Sequence, residues 1–428
     1  MNYPSAKGVF DILPTAPEDE AWRETSRWLY LEKILRQTAH DYGYHEIRTP
    51  LFERTELFIR GVGEGTDIVT KEMYTFMDKG DRSITLRPEG TASVIRAFVE
   101  NKIYAHPGLY KYFYLGPMFR YERPQAGRYR QHHQFGAEAL GNATPEQDVE
   151  LIDMLCETYR RLGLTHLTVC INSVGDPESR ARYREALKTY FTPYLSELSK
   201  DSQERFSKNI LRILDSKDPA DQKIARSAPN ILDHLSPETK EHFNQVLDLL
   251  SLLKIPFTVQ PTLVRGLDYY NKTVFEITAG ELGAQNSLGG GGRYDGLVEA
   301  IGGPKLPSIG FGTGLERVLQ TMIKQGVIFP TAPHPLIFLI PMGEKALRYC
   351  FELACQLRHE KIPTEIDLSG KKVQQGMALA SLLKADYAVV IGENELASQR
   401  IALKTMTTRE TTEIALADLV STLKLLKN

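Results

Sequence analysis

At 428 residues the chain is too long for one hydrophobic core, so two or three domains are expected. Charged residues make up 25% and the formal net charge is −2, which excludes a uniformly basic nucleic-acid binder and leaves any RNA contact to local patches. Cys156, Cys170, Cys350 and Cys355 have neither CxxC spacing nor neighbouring His pairs, so they read as scattered thiols of a reducing cytosol, with no zinc site. The N-terminus has no apolar signal core and no apolar run reaches membrane-spanning length, which predicts a cytoplasmic protein with no membrane segment.

Residues 18–42 predict a helix, because Trp28, Leu31, Leu35, Ala39 and Tyr42 recur at three- and four-residue steps before Gly43 ends the pattern. Residues 45–53 follow as a strand interrupted by Pro50, which cannot donate to a ladder and so belongs at an edge or an interface. Thr85-Leu-Arg-Pro-Glu-Gly-Thr91 then leads into a helical run through Val94, Ala97 and Phe98, with Glu89 and Thr91 placed to cap it.

Residues 110–141 predict two strands joined by the basic loop 123–130, whose Pro and Gly break the pattern. Two-residue alternation puts Gln134, Gly136 and Glu138 on one face and Phe135, Ala137 and Ala139 on the other, while Met118 and Arg120 share a face of the first strand. Paired antiparallel, the two strands would set Arg120, Gln134 and Glu138 along one polar floor over an apolar layer. A guanidinium beside an amide and a carboxylate suits a charged small molecule. A surface hairpin with ordinary salt bridges is the alternative on these residues alone.

From about residue 172 to 260 the character changes. Residues 178–191 and 237–254 predict amphipathic helices, the second with Ser236 at its N-cap and Pro237 in its first turn. The polar, charge-mixed stretch between them reads as part of an insertion between two halves of a sheet, its Lys and Arg forming a solvated face. Beyond it, Arg265 is a fixed cation and Tyr270 offers a phenol on a flat ring. Gly289 to Gly292 either admit a ligand close to the backbone or form a loop. Pro307 to Arg317 contains a G-x-G-x-G run without the G-x-G-x-x-G spacing or βαβ setting of a dinucleotide turn, and leads into a helix through Val318, Leu319 and Met322. After Pro333, strands at 334–341, 364–368 and 388–391 alternate with helices at 345–358 and 373–384, followed by two polar strands around Thr407 and a helix at 416–426. That alternation predicts a separate α/β layer.

Several of these stretches carry a family resemblance. Phe119-Arg-Tyr-Glu-Arg123 before its basic loop resembles the second motif of the class II aminoacyl-tRNA synthetases. The first helix and its proline-bearing strand resemble the first motif, which forms the dimer interface in that class, and the strand, glycines and helix ending at Arg317 resemble the third. Leu263-Val-Arg-Gly-Leu-Asp-Tyr-Tyr-Asn-Lys-Thr-Val-Phe-Glu-Ile277 is similar nearly residue for residue to the first histidine-specific motif of histidyl-tRNA synthetases, and Gly289 to Leu297 resembles the second. The opening Ala6-Lys-Gly-Val-Phe-Asp-Ile-Leu-Pro14 resembles that of the same family.

The resemblance implies an α/β (α+β) protein. A class II antiparallel-sheet catalytic core (residues 1–171 and 261–330) would be split by a helical insertion (172–260) that touches the tRNA acceptor arm, and followed by a mixed α/β anticodon-binding domain (333–428). It implies a homodimer that activates L-histidine with ATP, releasing pyrophosphate, and transfers it from the adenylate to the 3′ end of tRNA(His), with Mg²⁺ accompanying ATP and no zinc. By the same resemblance Arg120 and Arg265 flank the α-phosphate, and Glu89, Thr91 and Gln134 take the amino end of histidine. Glu138, Tyr269, Tyr270 and Tyr294, with Arg265, complete the histidine pocket. Arg120, Glu122, Arg128 and Arg317 bind ATP, and Arg123 and Gln125 face the acceptor end of the tRNA. The rival is a non-catalytic paralogue that regulates histidine biosynthesis within an ATP-phosphoribosyltransferase complex. Such regulators generally lack the C-terminal domain and diverge in the histidine and ATP motifs, both of which this chain has.

Overall fold

A computed structural model describes residues 3–63, 66–121, 128–214, 216, 218–280, 287–370 and 372–427. The chain divides into two compact units, Met1–Pro330 and Thr331–Asn428. The first is built on an eight-stranded sheet. Its strands are β1 (His45–Glu46), β2 (Tyr110–Phe119), β3 (Gln131–Leu140), β4 (Leu167–Ser173), β5 (Phe257–Val259), β6 (Asn271–Ala279), β7 (Ser287–Arg293) and β8 (Ser308–Gly314), in the order β1-β2-β3-β8-β7-β6-β4-β5. Only the outer pairs, β1 with β2 and β4 with β5, are parallel.

Register sorts the side chains onto two faces. Phe113, Ala137, Phe311, Gly291, Phe275 and Ile171 stand opposite one another in a row across the sheet. This row belongs to a buried cluster with Trp28, Leu31 and Leu35 of the helix Thr25–Asp41, Leu151 and Leu155 of Pro145–Arg161, Val246 of Pro237–Leu252, and Leu319 of Leu315–Lys324. The next row, on the other face, reads Tyr112, Glu138, Gly310, Gly292 and Val274, and the one after it Tyr114, Gly136, Gly312, Gly290 and Glu276. One face is therefore a hydrocarbon core, and the other a shallow trough floored by glycine.

The expected helix over 18–42 is two pieces, a 3-10 turn at Glu18–Arg23 and the helix Thr25–Asp41. Leu13 bridges to Glu24: its N–H donates to the Arg23 carbonyl at 3.0 Å and its carbonyl accepts from Thr25 N–H at 2.8 Å, with Glu24 held in an extended conformation. The apolar periodicity survives because the buried Trp28, Leu31, Leu35 and Ala39 all lie after the break. The expected strand over 45–53 also divides. β1 joins the large sheet, whereas Phe52–Arg54 pairs with Ser83–Leu86 in a separate three-stranded sheet completed by Tyr74–Met77. Pro50 lies between the two, where no ladder hydrogen bond is required of it.

Between β4 and β5 run the helices Pro177–Phe191, Lys200–Lys208, Pro219–Ala225 and Pro237–Leu252. Ser236 caps the last of these, accepting from Thr239 N–H at 3.3 Å, and its Phe243, Val246 and Leu250 pack into the core behind the sheet. The preceding helices face the other way: Tyr183, Leu187, Phe191, Leu198 and Ile210 share a buried cluster with Leu263, Tyr270 and Tyr294.

In the second unit a five-stranded sheet runs in the order Thr364–Ile366, Ile337–Pro341, Tyr387–Ile391, Arg400–Thr405, Thr411–Ala415, the first three strands parallel and the last two antiparallel additions. The helices Glu344–His359 and Leu419–Leu426 bury Cys350, Leu353, Leu357, Leu419 and Leu423 against it. A short helix, Glu393–Ser398, is an addition to the predicted set; the Glu395 carboxylate caps it by accepting from Gly392 N–H at 2.8 Å.

Gly291 tests the register. A Cβ there would overlap the Gly310 carbonyl oxygen of the paired strand, which is backbone and has nowhere to move. Gly291→Ala should destabilise the first unit by about 1–3 kcal/mol or more, read as a lower midpoint in urea unfolding, and an unchanged midpoint would contradict the pairing of β7 with β8.

Candidate active site

Glu138 stands in the middle of the trough, on β3, with no exposed surface. Thr91 donates its hydroxyl to Oε1 at 2.7 Å, and Tyr294 donates to Oε2. Burial raises the Glu138 pKa to about 8; the two hydroxyls pull it back, and neighbouring Glu89 pushes it further up. With these neighbours the carboxyl keeps its proton at neutral pH.

Glu89 sits at the entrance to the helix Thr91–Glu100, where its carboxylate accepts from Thr91 N–H at 2.7 Å and Ala92 N–H at 2.9 Å. It caps the helix as the sequence suggests. Thr91 is also at the helix start, but its side chain turns away to Glu138. Burial raises the Glu89 pKa, against the lowering effect of the two backbone bonds.

The tyrosines close one side. Tyr269 packs on Tyr270 with centroids 4.7 Å apart and meets Tyr294 edge-on at 5.5 Å. Arg265 reaches in from the same segment, pairs with Glu276, lies 5.9 Å from the Tyr270 ring centroid and leaves Nε buried without a partner. The second orphaned polar atom of the trough is Gln134 Oε1. Farther along the hairpin, Arg120 donates Nε–H to the Pro88 carbonyl at 2.8 Å, tying β2 to the Glu89 segment. At the far edge Glu316 accepts from His133 N–H at 2.8 Å, fixing the start of the helix Leu315–Lys324, while Arg317 donates to the Ser287 carbonyl at 2.7 Å.

The glycines make this crowding fit. A Cβ at Gly310 would overlap Glu138, at Gly312 the Gln134 amide, and at Gly90 or Gly136 the Tyr114 ring; at Gly290 it would sit 3.0 Å from Arg265 Nη1. Each polar side chain lies flat across its neighbouring strand.

The structure thus brings Glu89, Thr91, Glu138, Tyr294, Tyr269, Tyr270 and Arg265 into one cluster, and sets Gln134, Arg120 and Arg317 along the same sheet. Arg128 is exposed beside the β2–β3 connection, and Glu122, Arg123 and Gln125 lie outside the described residues. Two further side chains of this face, Tyr114 and His132, escaped the sequence reading. Both were accessible to the alternation rule, Tyr114 with Met118 and His132 with Gln134. Burial and the nearby Arg120 charge lower the His132 pKa to about 3, so its ring is neutral. Among the described residues no group of three or more His, Cys, Asp or Glu is placed to hold a metal ion.

The sequence model described as histidyl-tRNA synthetase matches residues 17–318. The chain belongs to the histidyl-tRNA synthetase family. A second model, described as an anticodon binding domain, matches residues 336–426. A histidine–tRNA ligase of Protochlamydia amoebophila (strain UWE25) is 57% identical over 424 residues, 99% of this chain and 100% of that protein. One from Desulforamulus reducens is 48% identical over 98% of each. Among solved structures, apo histidyl-tRNA synthetase from S. aureus superposes with a TM-score of 0.83 at 40% identity, covering 99% of this chain and 100% of that one. The fold is accordingly the synthetase fold expected from the sequence: an antiparallel-rich catalytic sheet and a C-terminal α/β unit. No helix among the described residues is long and apolar enough to cross a membrane.

Glu138 carries a sign that can be checked. A carboxyl whose pKa rises on folding keeps a proton that the unfolded chain has lost. Its burial is harmless below the ordinary carboxylate range and destabilises increasingly as the pH climbs toward about 8. Glu138→Gln should therefore raise Tm at pH 8 relative to the parent, with little gain at pH 4.5. It should also raise the histidine KM roughly 10-fold or more, the loss expected for one charge-assisted hydrogen bond, with the ATP KM little changed. Calorimetry at the two pH values and pyrophosphate exchange on the same preparations check both halves.

Proposed function

We propose that the trough performs both steps of histidine–tRNA ligation: histidine and ATP react to histidyl-adenylate and pyrophosphate, and histidine then passes to the 3′ end of tRNA(His). The observation that carries the residue assignments is the buried Glu138 carboxyl, ringed by Thr91 and Tyr294 and walled by Tyr269 and Tyr270 on a glycine floor. A protonatable carboxyl of this kind suits the imidazole N–H, and a pocket built to pair it rejects other side chains by leaving its own groups unpaired. The amino end would meet the Glu89 carboxylate, Thr91 and the unsatisfied Gln134 Oε1, an acceptor set suited to an ammonium.

With histidine so held, its carboxylate oxygen attacks the α-phosphorus of ATP, the bond to the bridging oxygen breaks, and pyrophosphate leaves with that electron pair. In the second step a ribose hydroxyl of the tRNA attacks the histidyl carbonyl carbon and AMP departs. Arg120 and Arg265 would flank the α-phosphate, where negative charge grows at the pentacoordinate phosphorus, and Arg317, with Arg128 and Glu122, would hold the rest of the nucleotide. Mg²⁺ enters as part of the substrate, bound to the ATP phosphates, which is its usual mode where no all-protein cage exists. Arg123 and Gln125 are assigned to the tRNA acceptor end, as is the helical segment within residues 172–260, and the unit at 333–428 to the anticodon. The exposed Leu51, Phe52, Phe76 and Met77, on and beside the three-stranded sheet, are the face proposed for a homodimer, in a cytoplasmic setting.

A regulatory reading has one point in its favour. A Bacillus halodurans chain described as an ATP phosphoribosyltransferase regulatory subunit/histidyl-tRNA synthetase shares the fold, with a TM-score of 0.63 at 21% identity. Histidine-dependent pyrophosphate exchange by the purified protein separates the two, since a pure regulator gives none.

Arg265→Ala should lower kcat for adenylate formation by roughly 10²–10³, because a preorganised cation at the α-phosphate acts mainly in the transition state. Lys should restore only part of the rate, lacking the planar fork. If Arg265 merely packs on the tyrosines, Tm falls while single-turnover adenylate formation keeps the parent rate.

Removing residues 331–428 should leave pyrophosphate exchange within a few-fold of the parent and depress tRNA charging far more. Sedimentation of the truncated protein checks the dimer at the same time. A folded, dimeric truncation that charges tRNA normally would refute the anticodon role.

A further inference from the structure

The segment Arg265 to Tyr270 carries three of the side chains assigned to histidine; Leu267, Tyr269 and Tyr270 pack into apolar clusters, while the rest of the segment is held by polar contacts. Two hollows flank it. One, of about 280 Å³, is lined by Thr66, Asp67, Asn209, Arg212, Gly266 and Asp268 among others; the second, of about 200 Å³, by Gly63, Asp268, Tyr269 and Leu297 among others. Gly266 and Asp268 are exposed. Polar bonds fix the segment's backbone. Asp268 N–H donates to the Val62 carbonyl at 3.2 Å from the catalytic side. The remaining bonds come from the helices between β4 and β5. Arg180, on Pro177–Phe191, donates Nη1–H to the Tyr270 carbonyl at 2.8 Å and Nη2–H to the Asp268 carbonyl at 3.5 Å. Asn209, just past Lys200–Lys208, donates Nδ2–H to Asp268 Oδ1 at 2.9 Å.

We propose that Arg180 and Asn209 are positioning residues for histidine: one guanidinium spanning the carbonyls on either side of Tyr269, and one amide on Asp268, set the tyrosine segment against Glu138. The proposal rests on the assignment of Tyr269 and Tyr270 to the histidine pocket. Its physical basis is the planar fork of arginine, which fixes two acceptors at a set spacing, where a lysine ammonium would hold one. No carboxylate on the described residues forms an ion pair with Arg180; its hydrogen-bonding is directed to the loop backbone and the cation is partly buried. Because these tethers originate in the helical segment assigned to the tRNA acceptor arm, any displacement of that segment is linked to histidine affinity, and by reciprocity histidine is linked to its position.

Pyrophosphate exchange on the full-length protein tests this, with histidine and ATP varied separately and Tm recorded on each preparation. Arg180→Ala should raise the histidine KM roughly 10-fold or more, the loss expected for hydrogen bonds to a charged group, while the ATP KM stays within about twofold. Arg180→Lys should recover part of the affinity, and Asn209→Ala should raise the histidine KM roughly threefold. Glu138→Gln is the control for the pocket itself. If it leaves the histidine KM unchanged, the pocket assignment fails; if it shifts the KM and folded Arg180→Ala and Asn209→Ala do not, the tether fails. A parallel loss of Tm and of both substrate affinities in Arg180→Ala, without recovery in Arg180→Lys, would mark a structural role only and also overturn the proposal. Should Arg180→Ala not fold, Asn209→Ala decides: an unchanged histidine KM refutes the positioning role.

Discussion

The constraint on which the site depends is steric. A carboxyl, an amide, a phenol and a guanidinium all lie flat on a β-sheet, and a sheet face normally carries a Cβ at every second residue that would lift them off. Gly136, Gly290, Gly310 and Gly312 remove those atoms on three adjacent strands, and Gly90 does the same from the helix entrance above Tyr114. Each glycine in a strand weakens it by roughly 0.5–1 kcal/mol relative to alanine through lost backbone entropy. The cost is tolerated because β7 and β8 are interior strands, hydrogen-bonded on both sides, and because alternate residues on the other face, Phe275, Phe311 and Phe135, remain large. The apolar face holds the sheet together so that the polar face can be bare.

A bare, dry floor then determines the chemistry. With Glu138 wholly buried, its proton stays on at neutral pH, and hydroxyl groups that can either donate or accept satisfy it protonated or ionised. Glu89, also buried, is treated differently: two backbone N–H groups of a helix start point at it and favour its charged form. Burial raises both carboxyls and hydrogen-bond donors oppose it in each, but the donors differ: backbone N–H groups at Glu89, side-chain hydroxyls at Glu138.

Much of this was legible in the sequence, and the failures have physical causes. Alternation placed Gln134, Gly136 and Glu138 on one face correctly because the opposite residues, Phe135, Ala137 and Ala139, are core, and a one-residue slip would have buried the polar set in hydrocarbon. Gly289 to Gly292 were ambiguous, since a run of glycines carries no periodicity; only pairing with partners about twenty residues away on either side makes it a strand. The break at Glu24 was invisible for a related reason. It is made by Leu13, a contact that no window over the helix contains. Tyr114 and His132 lie within reach of the alternation rule, but a phenol or imidazole on a strand face has the same pattern whether it lines a pocket or packs, and only the three-dimensional arrangement separates the two.

The two arginines assigned to the phosphate also differ in a way that only the structure reveals. Arg120 donates Nε–H to a neutral carbonyl, that of Pro88, and its charge lowers the pKa of the nearby Glu89. Arg265 is oriented by Glu276, a carboxylate in the row of Gly290 and Gly312, so a good part of its charge is already offset. A buried cation without such a partner would disfavour the folded state and would draw any other carboxylate within reach toward it. Pairing Arg265 with Glu276 avoids both and fixes the guanidinium plane, at the expense of some attraction for a phosphate.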